Sequence, residues 1–256
     1  MTVVSRSAQL LVPNLRIGAN AVANGVFPEL IHNLLMSDYK LIDLSHTVEA
    51  GMITYNGLPA PVISDHLTRE QSRTLYAPGT EFHIGKIEMV ANTGTYIDSP
   101  FHRYADGVDL SQLDLHTLAN VDAVVVRKLP PNDRAISLAD VAGIAVSGIA
   151  VLFHTGWDRH WRTDTYWNGM HPFVTTEAAT YLAEHGAAVV GIDSYNIDDT
   201  ADASRPAHSI LLGAGIPIVE HMRNLAAVPD DGFKFFAVPV KVKAFGTFPV
   251  RAFALI

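Results

Sequence analysis

A helix that leads directly into a buried strand constrains the fold of this chain most. Thr175 or Thr176 can cap a helix over residues 175–186, which ends at a glycine. Residues 188–192 follow at once and are apolar, as in a strand that is buried on both faces. This step predicts a mixed α/β fold with Asp193 at the carboxyl end of the strand, where such sheets usually hold their sites.

Strand-like segments elsewhere support the same fold class. Alternating or β-branched runs between turn residues predict strands, and the Gly/Pro-rich residues 51–61 predict a loop. The predicted strands are 40–44, 82–91, 121–129, 148–154, 216–220 and 233–245. The fold class is therefore α/β with much extended chain.

One domain with an N-terminal extension is the predicted organisation. Residues 1–37 form the extension, and the spaced apolar positions over 19–36 predict a helix that packs on the body or on a second subunit. Residues 38–256 contain no repeat and no Ser/Gly linker that would divide them. A chain of 256 residues is long enough for one large core.

Composition excludes several classes of protein. The net charge of −8 and the scattered Lys and Arg argue against a nucleic-acid binder, since phosphate neutralisation needs clustered cations. The absence of cysteine excludes disulfide scaffolds and thiolate sites and fits the cytoplasm. No apolar run reaches the roughly 18–20 residues of a membrane span. We therefore expect a soluble cytoplasmic protein that acts on a small molecule.

The motifs of common nucleophile and nucleotide chemistries do not occur. The sequence has no Gly-x-Ser-x-Gly, no Walker loop, no Gly-x-Gly-x-x-Gly after a strand and no His-Glu-x-x-His. Histidine occurs 12 times, and its pKa suits proton transfer near neutral pH. Histidines and acids are therefore the candidates for chemistry.

Asp98 and His102 flank Pro100 in a segment that resembles a rigid turn. Such a turn can bring a carboxylate and an imidazole to one cavity, for metal binding or acid/base catalysis. In the alternative interpretation, Asp98 only accepts backbone hydrogen bonds and His102 lies on the surface.

Glu220 ends a predicted buried strand. A carboxylate at such a place is costly unless it is paired or binds a cation. His208 lies upstream at the start of an apolar stretch, and His221 and Arg223 are the neighbouring residues that offer an ordinary ion pair.

The segment 92–102 resembles the hallmark of the cyclase-like family of metal-dependent hydrolases, which includes bacterial kynurenine formamidase and isatin hydrolase. The hallmark is His-x-Gly-Thr-His-x-Asp-x-Pro-x-His, and this segment reads Asn-Thr-Gly-Thr-Tyr-Ile-Asp-Ser-Pro-Phe-His. Further matching motifs lie at residues 44–47, 154–157, 191–193 and 249–252. The resemblance implies a swivelling β/β/α fold and a homo-oligomer.

The resemblance also implies roles for individual residues. In the family, the first two hallmark histidines and the aspartate bind one metal, and the aspartate bridges to a second metal held by a downstream His and Glu. Carried across, Asp98, His208 and Glu220 hold one divalent ion, Zn²⁺ or Mn²⁺. His102 takes the position of the proton donor and acceptor, and Tyr55 that of a substrate-contacting tryptophan.

Both of those hallmark histidine positions differ here, because Asn92 and Tyr96 occupy them. An amide oxygen is a weak zinc ligand and a phenol with an ordinary pKa would have to ionise, so we expect one of the two metal sites to be lost. Tyr96 is then expected to donate a hydrogen bond to an oxyanion. Asn92 and Trp157 are expected to line the substrate pocket, and His83 is either a substitute ligand or an ordinary histidine.

The predicted function is hydrolysis of a C–N bond in a small amide, formamide or cyclic imide-like substrate. Water activated by the metal attacks the carbonyl, with His102 as acid and base. Two alternatives stay open. One is a metal-free cyclase, isomerase or lyase in which His102 and Asp98 move protons and Tyr96 stabilises an enolate. The other is an inactive binding protein that keeps the pocket.

Overall fold

The computed structural model describes residues 39–129 and 133–256, which contain thirteen strands and four α-helices. The strands are β1 (Leu41–Asp43), β2 (Val62–Leu67), β3 (Ile84–Glu88), β4 (Tyr96–Asp98), β5 (Val121–Arg127), β6 (Ala135–Ile136), β7 (Ala150–His154), β8 (Phe173–Val174), β9 (Val189–Ile192), β10 (Ile218–Glu220), β11 (Phe233–Phe236), β12 (Thr247–Pro249) and β13 (Phe253–Leu255). The helices are α1 (Arg69–Ser72), α2 (Leu138–Val141), α3 (Thr176–Glu184) and α4 (Pro206–Gly213). The helix predicted over 19–36 lies outside the described residues.

One nine-stranded mixed sheet organises the chain, in the order β1-β13-β11-β5-β7-β9-β10-β4-β12. The four central strands β5, β7, β9 and β10 run parallel to their neighbours within this group. Antiparallel strands flank them on both sides. Parallel strands are usually buried on both faces, which explains why their near-continuous apolar runs could be recognised in the sequence.

Helices cover one face of the central sheet. Val151 and Val190 project toward α3 and α4 and share a buried cluster with Leu182 and Leu211. The opposite face buries a second cluster that includes Leu152. Full burial of an aliphatic side chain contributes about 1.5–3 kcal/mol, so both faces stabilise the arrangement of the strands.

The helix predicted over 175–186 is confirmed as α3. Its N-cap is Thr175, whose hydroxyl accepts a hydrogen bond from the backbone N–H of Ala178 at 3.3 Å. Gly186 follows the helix with a φ of +71°, a conformation that glycine adopts without strain. The chain then enters β9 as predicted.

One predicted strand is shorter in the structure, and the apolar stretch at His208, for which no element was predicted, is helical. The strand predicted over 233–245 ends at Phe236, because the next N–H, of Ala237, bonds to Leu118 O outside the ladder and Pro239 has no N–H to donate. The stretch that contains His208 forms α4, with Pro206 in its first turn. A proline there is tolerated because the first N–H groups of a helix have no partner within it.

Within the described residues, no helix combines the length and the apolar character that crossing a membrane requires.

Candidate functional site

Strand β4 places two polar side chains on one face of the sheet. It lies between β10 and β12, so that Tyr96 is paired with Glu220 and Asp98 with Thr247. Residues two apart on a strand project to the same side, and directly opposite side chains on neighbouring strands touch. Ile97, between them, is buried in the apolar core. The register of three strands therefore assembles one polar patch.

Thr247 links Asp98 to His102. Its hydroxyl donates a hydrogen bond to Asp98 Oδ1 and lies 2.8 Å from His102 Nδ1. A hydroxyl has one hydrogen, so we infer that His102 Nδ1 donates to Thr247 Oγ1. In the neutral ring, Nε2 then carries the lone pair. Gly246 permits this approach, because a Cβ there would lie 2.6 Å from the His102 Cα.

His208 is held by Asp198. The Nδ1 of His208 lies 2.6 Å from Asp198 Oδ2, and the same carboxylate accepts the Ala207 N–H in the first turn of α4 at 2.6 Å. The other ring nitrogen, Nε2, lies 3.7 Å from Asp98 Oδ2 and 3.7 Å from Glu220 Oε1. His208 thus faces two carboxylates from different strands.

Both oxygens of the buried Glu220 accept hydrogen bonds. Oε1 accepts from the Ile197 N–H at 2.6 Å and Oε2 from the Tyr96 hydroxyl at 2.7 Å. Burial raises the pKa of Glu220 to about 7, and the nearby charge of His208 opposes that rise. Burial also raises the pKa of Tyr96 well above 10. Because the phenol donates its only proton to Glu220, the contact differs from the predicted oxyanion donation.

The charged partner of Glu220 is therefore His208, and neither His221 nor Arg223 forms an ion pair with it among the described residues. His221 Nδ1 lies 2.8 Å from the Tyr166 hydroxyl, inside an aromatic cluster. Burial lowers the pKa of His221 well below 6.5, so this imidazole is neutral.

The residues fit a divalent cation. Asp98 Oδ2 is buried and has no hydrogen-bond partner among the described residues. One ligand atom each from Asp98, His102 and His208 lies within 4.8 Å of the others. The predicted ligand set was Asp98, His208 and Glu220, so this group contains His102 in place of Glu220. Glu220 nevertheless lies next to His208. Imidazole and carboxylate donors suit Zn²⁺ or Mn²⁺.

The surroundings of His208 favour positive charge. Burial by itself lowers the pKa of this imidazole, but Glu220, Asp198 and Asp98 together raise it to about 10. A carboxylate on Nδ1 also prepares Nε2 as a ligand atom, as in many metal sites. The position therefore accommodates either a proton or a metal ion.

A cavity of about 320 Å³ opens beside these groups. Its lining residues are Tyr55, Leu58, Asn92, Tyr96, His102, Arg103, Asn196, Ala203, Ser204, Arg205, His208 and Glu220. Trp157 does not line it, contrary to the prediction. Its indole N–H donates to Tyr166 O at 3.3 Å within a buried aromatic cluster, because the turn after β7 directs this ring into the protein.

Two further candidates lie away from the cavity. His83 Nε2 is 2.7 Å from Asp65 on the exposed β2–β3 ribbon. Asp193 accepts the N–H groups of Thr155 and Gly156, each at 2.8 Å, and burial raises its pKa to about 7. Asp193 therefore anchors the loop after β7.

Sequence reasoning missed Thr247 and Asp198. Asp198 carries one signal, since it follows the carboxyl end of β9 and precedes His208 by ten residues. Thr247 carries none, because only strand pairing brings it to Asp98.

Comparison with known proteins agrees with this geometry. A sequence model of the family described as "Putative cyclase" matches residues 42–199. The chain belongs to this cyclase family. The solved structures also show that this family member has the cyclase-like fold. Isatin hydrolase A from Labrenzia aggregata, bound to benzyl benzoate, has a TM-score of 0.74 at 22% identity, over 89% of this chain and 98% of that one.

Curated relatives of this cyclase-family member carry an enzyme name. A kynurenine formamidase of Bacillus cytotoxicus is 28% identical over 217 residues, 82% of this chain and 95% of the relative. A structure described as a potential metal-dependent hydrolase with cyclase activity is 27% identical over 85% of this chain and 98% of that one, with a TM-score of 0.69. These relatives indicate a hydrolase of the amidohydrolase type.

Proposed function

We propose that this protein hydrolyses the C–N bond of a small amide, formamide or cyclic imide-like substrate. The observation that carries the proposal is the convergence of Asp98, His102 and His208 beside one cavity, with an unpartnered buried carboxylate oxygen on Asp98. The names of the curated relatives support this reaction class.

Asp98 and His208 would hold a divalent ion, with Glu220 beside them. Such an ion, when bound, polarises an amide carbonyl and lowers the pKa of water toward neutrality. The orientation of His102 by Thr247 leaves Nε2 free to accept a proton from water and to return it to the leaving nitrogen. Tyr96 keeps Glu220 in place through its hydrogen bond.

Metal analysis of purified protein tests the ligands. We expect about one divalent ion per chain and its loss in Glu220→Gln and in His208→Ala. The control is His116→Ala, which alters an exposed histidine on the turn Leu115–Thr117. Full retention of metal in both site variants would contradict the assignment.

Turnover tests His102. On an N-formyl aromatic amine, His102→Ala should lower kcat by about 10²–10⁴ while binding persists. Undiminished turnover would remove His102 from the mechanism. Turnover by metal-free wild type would favour the metal-free proton-transfer enzyme, and binding without metal or turnover would favour the inactive binding protein.

The assembly and location of the protein are part of the same proposal. We propose a homo-oligomer, on the basis of the family resemblance, and a cytoplasmic location, on the basis of the absence of cysteine. Light scattering after size exclusion measures the mass directly, and a single species at 27.8 kDa would contradict an oligomer.

A further inference from the structure

Two arginines line the same cavity as the candidate catalytic groups. Arg103 directly follows His102, and Arg205 directly precedes α4, which contains His208. Each guanidinium is therefore attached by a short length of backbone to a residue of the proposed centre. Both side chains therefore reach the cavity that holds the centre.

Most N–H donors of the two guanidinium groups have no hydrogen-bond partner among the described residues. Arg103 Nε donates to Ser209 Oγ at 3.2 Å, and Arg205 Nη1 donates to Asp199 O at 3.1 Å. Both acceptors are uncharged, and neither arginine forms an ion pair with a carboxylate among the described residues. A guanidinium has five N–H donors. Each group therefore makes one hydrogen bond to a neutral acceptor and keeps donors for an anion.

The backbone of Arg205 is strained. Its φ of +49° and ψ of 62° lie in the left-handed region, which costs an ordinary L-residue about 1–2 kcal/mol. Such strain is concentrated at functional positions. The long side chain here lines the cavity next to Ser204, so a role in binding accounts for an arginine at a position that glycine or asparagine would adopt more easily.

The geometry points to a carboxylate-bearing substrate: we propose that Arg103 and Arg205 form an anion subsite for an amide that carries a carboxylate. A planar guanidinium matches a carboxylate through two parallel hydrogen bonds. Tyr55 and Leu58 provide an apolar wall in the same cavity, which suits the body of the substrate. This inference rests on the proposed amide hydrolysis for the identity of the reacting group.

A matched pair of ligands tests the subsite. The first measurement uses calorimetry with 2-acetylbenzoate and its methyl ester, which contain a ketone and no C–N bond to hydrolyse. We expect wild type to prefer the carboxylate. The preference, the ratio of the two Kd values, should fall by about 10- to 100-fold in Arg205→Gln and in Arg103→Gln. The control Arg69→Gln alters an exposed arginine on α1 and should keep the ratio.

The second measurement uses 2-formamidobenzoate and its methyl ester as substrates. The ratio of their kcat/KM values should fall by a similar factor in both arginine variants, through KM more than kcat, since the subsite binds ground state and transition state alike. Equal binding of acid and ester by wild type, or an unchanged ratio in the variants, would overturn the subsite. A shifted Kd ratio without any turnover would instead refute the amide hydrolysis and leave the subsite standing.

Discussion

At the scale of single residues, hydrogen bonding decides what each predicted site residue does. The sequence presents Tyr96 as a free phenol in a cavity, but its proton is donated to Glu220. A carboxylate that is almost fully buried needs such donors. Tyr96 therefore acts as a positioning residue for Glu220.

Buried neutral histidines predict acid sensitivity. Burial, with help from the positive charge of Arg223, lowers the pKa of His46 to about 3, whereas an unfolded chain has a histidine pKa near about 6.5. Between these values the unfolded state binds more protons, so stability is complete above about pH 6.5 and falls as the pH decreases toward 3. His46→Phe retains the stacking on Trp161 and should reduce this slope by up to about 1 kcal/mol per pH unit.

Urea unfolding between pH 7.5 and pH 5 measures the slope. The exposed His116 provides the control, and His116→Phe should leave the slope unchanged. An identical slope in His46→Phe and wild type would show that folding does not lower the pKa of His46.

At the scale of secondary-structure elements, the N-cap contact distinguishes two neighbouring threonines that have the same helix propensity. The sequence allows Thr175 or Thr176 as the N-cap of α3, and the structure selects Thr175, whose hydroxyl accepts the Ala178 N–H. Thr176 is the first helical residue and is exposed. The two threonines therefore differ in energy although they are neighbours of the same type.

Thr175→Ala should destabilise the protein by about 1 kcal/mol, because an N–H of the first helical turn loses its acceptor. Thr176→Ala is the matched control, and its effect should stay within about 0.5 kcal/mol. The midpoint of urea unfolding, at an unchanged m-value, measures the change in stability of each variant. Equal losses in the two variants would show that Thr175 does not cap the helix.

At the scale of the whole molecule, the sheet and both buried clusters lie in the compact unit Leu41–Ile256. We predict that a fragment of residues 38–256 folds alone, because this unit contains its own core. The fragment should unfold cooperatively in urea with a midpoint close to that of the full chain. A fragment that aggregates or unfolds without a cooperative transition would show that residues 1–37 are part of the folding unit.

Local pattern in the sequence was enough to predict much of the fold. The capped helix α3 and the central parallel strands could be predicted because their signals are apolar periodicity and end residues, which act over a few positions. The family resemblance selected Asp98, His102, His208 and Glu220 as candidates, since residue types at given spacings carry that information, and their roles stay predictions. Strand β11 was predicted too long, because hydropathy does not report where a ladder loses its partner.

Only the tertiary structure decided which side chains of the site contact one another. Thr247 meets Asp98 across 149 residues and Tyr96 meets Glu220 across 124, and Arg103 and Arg205 line one cavity from separate elements. Such contacts depend on strand order and register, which follow from packing two faces of a sheet at once. That packing is a property of the whole chain, so no local stretch of sequence encodes which hydroxyl donates to which carboxylate.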